Sequence, residues 1–493
     1  MIFLIMSIKF RSILDSPVGV RYFLEKLELS SSFSRVVMLD TEMALSEQDI
    51  AFRYSELAQF SELLVSGNIF SAEKLRVKLN NLKDVRNSLA RISRGATPDD
   101  IEFFEIKALA MLNEDIRQIL ANTKIDCIQL PDLNEVVSIL DPDKNRITSF
   151  YIYDSYSKQL RELRKSLREY NSKTESEVKV LSTEGGADHE SAKRISEIKG
   201  AKSKIILEIF SVEDNIREDL ASKIAPHIQK LFESLMLLAK TDILLAKALQ
   251  IERLGLIIPT ISNKEIRYRE LFNPEVSEIL KMEGKEFQKI DIDFDSPLLI
   301  TGANMGGKSL TLKTLALTQY LFQFGFGIPA KETSIIPVDE IFISIGDEQN
   351  FKQGLSSFAA EMKRIDKSIA ALREKKREQR EVLILVDEPA ATTNPLEGIA
   401  LATALLTIFV KYEALSVITT HYNIANANCK RLRVRGIKDG VMNYALIPDS
   451  GGDIPKEALE IALSLGVDRE WLDLAKEVMI VKRKGRRTNN CNS

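Results

Sequence analysis

Apolar residues recur three and four positions apart from about Phe10 to Asn145, with few turn signals, and this spacing predicts helices. Ser16-Pro17, Gly95-Ala96-Thr97-Pro98 and Asp141-Pro142-Asp143 mark breaks in the run. Thr97 is the expected N-cap of the helix that follows, with Pro98 at its first position and Asp99 and Asp100 in its first turn. Tyr153 to Tyr170 carries a charged amphipathic helical pattern, and the polar stretch Ser172 to Ser191, with Gly185-Gly186, reads as a loop. A second helical run covers Ala192 to Leu249, with Gly200 and Pro226 as internal breakers. Long helix, short polar tip, long helix describes either an arm or a hairpin packed on a core, and the pattern fits both.

Around Ile257 the pattern changes to short apolar runs punctuated by Gly, Pro and Asn. Strand candidates are Pro297–Thr301, Glu340–Ile345, Val382–Val386 and Leu415–Thr420, with helical patterns between them. Strands alternating with helices predict an α/β domain: a mostly parallel sheet with helices on both faces, preceded by an all-α region.

Composition narrows the setting. At 493 residues the chain is too long for one ordinary domain, and roughly three are expected. A net charge of −3 neither demands nor excludes nucleic acid, although a dedicated DNA binder usually carries a basic surplus. Cys127, Cys429 and Cys491 are far apart and odd in number, which argues against a disulfide framework and for a reducing, cytoplasmic setting. His189, His227 and His421 are well separated with no Cys pair, so no zinc site is expected. The apolar start Met1–Met6 has no basic flank or cleavage pattern, and no later stretch reaches bilayer-spanning length, so no membrane partner is expected. Lys482 to Arg487 forms a small basic cluster, expected to be solvated.

One stretch carries explicit chemistry. Gly302-Ala303-Asn304-Met305-Gly306-Gly307-Lys308-Ser309 has a glycine, four free positions, then Gly-Lys-Ser, between an apolar strand and a helical run from Leu310 to Phe324. Strand, glycine-rich turn and helix are the context in which backbone N–H groups and a helix N-terminus cradle phosphates. Lys308 can reach the β and γ phosphates of a nucleoside triphosphate, and the Ser309 hydroxyl can ligate Mg²⁺. The apolar strand Val382–Val386 then delivers Asp387 and Glu388 at its end. Asp387 suits the Mg²⁺ shell, and Glu388 suits a base that orients the attacking water. His421 ends a further strand, where a histidine can sense the γ-phosphate.

At these residues the chain resembles the MutS mismatch-repair ATPases. The likeness runs from Thr301–Ser309, TGANMGGKS, through Gly327–Ala330, Ile336–Phe342, Gly354–Phe358 with Glu361-Met362, Asp387-Glu388, Glu397-Gly398 and Thr420-His421-Tyr422. More weakly, Ser16–Gly19 resembles the start of the family's helical core, and Phe10 to Leu254 fits its core-and-lever layout. The resemblance implies a helical core over 1–148, lever helices with a reduced clamp tip over 149–255, a P-loop ATPase domain over 256–480 and a basic tail over 481–493. It also implies ATP with Mg²⁺, and a dimer of identical or related subunits with composite sites. In such a site Ser356 reaches the γ-phosphate bound by the opposite subunit, Asn304 supports the phosphate loop, and His421 is the switch histidine.

Three departures stand out. No mismatch-reading domain is expected before the helical core, and only a short polar tip near Ser172–Ser191, without concentrated Lys or Arg, is expected in the place of the DNA-gripping clamp. The loop Pro389–Pro395 lacks the usual Gly-Arg-Gly run and has Ala391 in place of its arginine. No nuclease-type extension is expected before Ser493. Gly302–Ser309, Gly354–Phe358 and Asp387–Gly398 resemble a shorter subgroup, associated with reactivating adenosylcobalamin-dependent lysine or ornithine aminomutases. Two readings follow: a chaperone-like ATPase acting on an aminomutase client, and an ATPase handling mismatched or branched duplex DNA. A silent scaffold fits poorly, because Lys308, Ser309, Asp387 and Glu388 are all present.

Overall fold

The computed structural model describes residues 8–65, 69–147, 149–183, 189–302, 306–345, 357–378, 381–424, 428–438, 441–449 and 467–475. Ala303, Asn304, Met305, Ser356 and the tail 481–493 lie outside the described residues. Two compact units emerge: Met1–Glu28 with Asp40–Ala58 and Lys247–Ser493, and Leu29–Leu39 with Gln59–Ala246.

The first half of the chain is helical: α1 (Val20–Glu25), α2 (Ser32–Asp40), α3 (Glu47–Val65), α4 (Ile69–Leu79) and α5 (Arg86–Ile92). They are followed by α6 (Asp100–Leu120), α7 (Asn134–Leu140), α8 (Lys158–Thr183), α9 (His189–Ile224) and α10 (Ile228–Leu254). The cap of α6 is Asp99 and not Thr97. Asp99 accepts a bond from the Glu102 N–H at 2.8 Å, and the Glu102 carboxylate accepts the Asp99 N–H at 3.1 Å. This reciprocal box satisfies two N-terminal donors, which outweighs the cue of Pro98 at the first position. The stretch Ser172–Ser191, expected as a loop, is helical through Thr183 and again from His189, while its Gly185-Gly186 lies outside the described residues. Its residues are mostly polar but include no proline, so polarity alone does not end the helix. Gly200 is absorbed within α9, whereas Pro226 falls in the 3₁₀ turn Ala225–His227 that separates α9 from α10.

Within the second unit, α8 and α9 run side by side, tied by Tyr170 Oη donating to the Ile198 carbonyl at 3.2 Å and by the Arg164–Glu213 ion pair at 2.7 Å. A buried ion pair joins Lys107 and Asp141 at 2.9 Å, with their side chains 1% and 2% exposed. Lys107 also donates to Tyr153 Oη, and Asp141 accepts the Arg146 N–H. Burial pushes the Asp141 carboxyl up, but these partners more than offset it and hold it below the usual range.

From Thr260 onward strands appear: β1 (Thr260–Ile261), β2 (Ile266–Leu271), α11 (Pro274–Met282), β3 (Ile290–Phe294), β4 (Leu298–Thr301) and α12 (Lys308–Gln323). Then come β5 (Glu332–Ile335), β6 (Glu340–Ser344), α13 (Ser357–Glu378), β7 (Val382–Asp387), α14 (Pro395–Lys411), β8 (Leu415–Thr420), β9 (Lys430–Lys438) and β10 (Val441–Pro448). The main sheet has the order β10-β9-β4-β8-β7-β6, parallel except for the β9–β10 pair. All four expected strand stretches lie in it, as β4, β6, β7 and β8. One face, including Leu299, Ile384, Val386 and Ile418, packs with Leu372 of α13 and Leu405 and Phe409 of α14. Alternate residues point to the other face, and α12 packs against β7 and β8.

A second sheet, β1-β5-β2-β3, was not expected; β2 pairs antiparallel with both β3 and β5. Its strands, such as Ile266–Leu271, are short and interleaved with charge. The C-terminal end of α12 is clamped by donors within its own unit. Tyr54 Oη reaches the Phe322 carbonyl at 3.1 Å, Arg53 that of Gln323 at 3.0 Å, and Lys247 that of Phe324 at 2.7 Å. These donors satisfy helix-end carbonyls that lack intrahelical partners. No helix among the described residues is long and apolar enough to cross a membrane.

Candidate functional site

The parallel strands β4, β7 and β8 end on the same edge of the sheet, and the crevice beyond such carboxyl ends is where open α/β sheets bind ligands. Gly302 follows β4, and Gly306-Gly307 lead into α12. Gly307, at φ 74°, is the N-cap of α12 in the left-handed region, where a Cβ would lie 3.1 Å from the Tyr444 ring. Only glycine takes that backbone without strain beside the aromatic wall.

Lys308 is buried at the first position of α12. Its Nζ donates to the Gly302 carbonyl at 2.9 Å and pairs with Glu388 Oε1 at 3.1 Å. Ser309 follows on the exposed side of the first turn. Across the sheet edge, Asp387 is the last residue of β7 and stands in register with Thr419 of β8. The Thr419 hydroxyl donates to Asp387 Oδ1. The Glu388 N–H bonds the Thr419 carbonyl at 3.0 Å and its hydroxyl at 3.2 Å. Glu388 Oε2 lies 3.1 Å from His421 Nδ1, and the His421 ring sits 4.3 Å from that of Tyr422. Lys308, the Asp387-Glu388 pair and His421, from three separate segments, are thus gathered at one sheet edge.

The altered loop after Glu388 keeps an unusual backbone. Glu388 (φ 43°) and Ala390 (φ 58°) are both left-handed, a region that costs a residue with a Cβ about 1–2 kcal/mol. Local bonds hold the turn: Ala390 N–H donates to Glu361 Oε1 at 3.0 Å, and Ala391 N–H to the Glu388 carbonyl at 3.1 Å. Asn394 then caps α14 by accepting the Leu396 N–H at 3.0 Å, with Pro395 at the first position.

Oxygen donors suit Mg²⁺ here. Among the described residues no group of three or more His, Cys, Asp or Glu side chains could hold a metal. Mg²⁺ is typically bound by one or two protein oxygens plus phosphates and water, which the Ser309 hydroxyl and Asp387 carboxylate fit. Sequence reasoning missed a cavity of about 400 Å³ beside Gly306 and Gly307, walled by Phe272, Leu280, Phe287 and Tyr444. Gln288 ties its walls, donating to Asn443 Oδ1 and accepting the Tyr444 N–H, each at 2.9 Å. The aromatics come from three separate segments, so no local motif marks the cavity. Thr419 was missed too, since nothing in its local sequence shows that it faces Asp387.

Residues 298–441 match MutS domain V. The endonuclease MutS2 of Pediococcus pentosaceus is 37% identical over 212 residues, covering 43% of this chain and 26% of that protein. The endonuclease MutS2 of Shouchella clausii is 27% identical over 518 residues, 91% of this chain and 62% of the relative. That of Caldicellulosiruptor saccharolyticus is 26% identical over 502 residues, 89% and 59%. The matched part is therefore less than two thirds of each relative. These likenesses support MutS-family membership.

Proposed function

We propose that this chain is a MutS-family ATPase that hydrolyses ATP with Mg²⁺ and couples the cycle to its helical arm. The observation that carries the reading is the junction of Lys308, Glu388 and His421 at the ends of β4, β7 and β8, within the MutS domain V match. Gly302–Ser309 cradles the phosphates, Lys308 engages the β and γ oxygens, and Ser309 and Asp387 hold the metal. Bound Mg²⁺ supplies charge neutralisation on the phosphates. Glu388 orients and polarises the attacking water, and His421 senses the γ-phosphate. The base is placed in the cavity of Phe272, Phe287 and Tyr444, with a ring stacked on adenine. Ser356 acts across a dimer, reaching the nucleotide of a partner subunit that is identical or related. The proposed layout is a core over 1–148, levers over 149–255 and an ATPase domain over 256–480, working in the cytoplasm. A Lys308→Ala variant that still releases phosphate from ATP at the wild-type rate would overturn this site.

For the client, the reading we favour is reactivation of an adenosylcobalamin-dependent aminomutase. The Asp387–Gly398 loop and the short tip of the arm support it. ATP-dependent recovery of an inactivated aminomutase by purified protein is its test; no recovery in the presence of active ATPase counts against it. One observation favours duplex DNA instead. Lys165, Arg168 and Lys173 of α8 and Lys199, Lys202 and Lys204 of α9 are all exposed, on stretches brought together by the Tyr170–Ile198 bond, with Lys165 lying 3.9 Å from Glu169 and Arg168 4.0 Å from Asp154. Such a belt can neutralise phosphates, and the relatives are named endonucleases. Salt-sensitive duplex binding that accelerates ATP hydrolysis decides for DNA; its absence at low salt decides against it.

A further inference from the structure

We propose that Thr419 is a positioning residue that sets both carboxylates of the site, fixing Asp387 for the metal and Glu388 for the water. The inference rests on the ATP-site reading above and assigns a role to a residue outside its motifs.

Thr419 is fully buried on β8 and pairs in register with Asp387 on the neighbouring parallel strand. Its hydroxyl has one hydrogen to give, and gives it to Asp387 Oδ1. That bond occupies one of the two carboxylate oxygens and restricts rotation of the group. The same hydroxyl oxygen accepts the Glu388 N–H at 3.2 Å, beside the bond to the Thr419 carbonyl at 3.0 Å. Glu388 adopts a left-handed φ of 43° at this point, and such a conformation persists only where surrounding bonds hold it. The hydroxyl and carbonyl of one residue, on a strand between the phosphate loop and the acidic strand, therefore together hold the direction in which the chain leaves β7. With the chain leaving in that direction, Glu388 meets Lys308 and His421.

The hydroxyl can be separated from the shape of the residue. Thr419→Val keeps the branched side chain, and the Glu388 N–H keeps the backbone carbonyl. What is lost is the donor to a charged oxygen, so the effect is expected on metal-dependent binding first. Binding of a fluorescent ATP analogue is measured with excess EDTA and with Mg²⁺, for wild type, Thr419→Val and Thr419→Ser. In wild type Mg²⁺ strengthens binding; in Thr419→Val that gain shrinks by about tenfold, a typical consequence of losing a hydrogen bond to a charged group. Affinity in EDTA stays within about twofold, and Thr419→Ser recovers the gain. A merely structural residue would lower both affinities together, and that outcome overturns the proposal, as does an unchanged Mg²⁺ gain in Thr419→Val. If the valine variant fails to fold, Thr419→Ala gives the same comparison without added bulk, and a wild-type Mg²⁺ gain there overturns it equally. Wild-type protein with no nucleotide affinity overturns the ATP-site reading itself, and the role of Thr419 with it.

Discussion

Glu388 bridges Lys308 and His421, with one carboxylate oxygen 3.1 Å from the lysine Nζ and the other 3.1 Å from the histidine Nδ1. The side chains of Lys308 and Glu388 are 3% and 24% exposed, so the pair is largely shielded from water. The lysine proposed to bind phosphate and the carboxylate proposed to orient water are thus in contact at the edge of the sheet. Replacing Glu388 with Gln keeps the size and removes the basic oxygen. Phosphate release should fall by about 10²-fold or more while nucleotide still binds. Retained turnover in a single-turnover assay assigns the water to another group.

Tyr444 forms one wall of the cavity next to Gly307. Tyr444→Ala should weaken ATP binding by about tenfold, since stacking of a base on an aromatic ring contributes about 1–3 kcal/mol. Inorganic triphosphate carries no base, so its competition should be unaffected. An equal loss for both ligands points to a damaged phosphate loop and not to a base pocket.

Gly398, early in α14, lies against the loop that carries Glu388: a Cβ there would sit 2.6 Å from Tyr422 Oη and 3.0 Å from the Ala390 carbonyl. Gly398→Ala is expected to destabilise the protein by about 1–3 kcal/mol through overpacking, read from denaturant midpoints. Removing the hydroxyl with Tyr422→Phe should recover part of that loss. Strictly additive effects of the two changes would mean that the hydroxyl is not the obstacle.

Lys247 is buried, bonded to the Phe324 carbonyl at 2.7 Å and lying 4.2 Å from the Phe326 ring centre. Burial, and secondarily the nearby Arg53, push its pKa well below 10.5, and Glu56 offsets this only in part. The unfolded chain then holds a proton on this lysine that the folded chain releases, over the window between the lowered value and 10.5. Stability from this group therefore rises with pH across that window and is lost as pH falls through it. Lys247→Met should flatten this rise in chemical-denaturation midpoints measured over the alkaline range. A wild-type-like slope in the variant would assign the pH dependence to other groups.

How much of this was legible in the chain follows from the range of each interaction. Up to their last residues β4 and β7 are continuous apolar runs, because both of their faces are covered, whereas β8 is equally buried but holds Ser416, Thr419 and Thr420, and the edge strand β6 is only partly buried. β9 was missed although Leu432, Val434 and Gly436 are buried at alternate positions, since the intervening basic residues make Lys430–Lys438 look like a solvated segment. The helical residues after Ser172 were read as loop because the stretch is largely polar and holds Gly185-Gly186, whereas largely polar residues without proline can continue a helix. The cap of α6 could have been read from Asp99 and Glu102, three residues apart.

The sequence by itself determined the phosphate-loop spacing, the paired acids ending an apolar strand and the histidine ending another, because each is a run of neighbours whose chemistry is set within a few residues. Only the tertiary structure decided that Glu388 meets both Lys308 and His421, that Thr419 holds Asp387, and that Phe272, Phe287 and Tyr444 line one cavity. Those meetings depend on strand order and register. Parallel strands are joined through distant crossovers, so residues that touch across them leave no local mark in the chain.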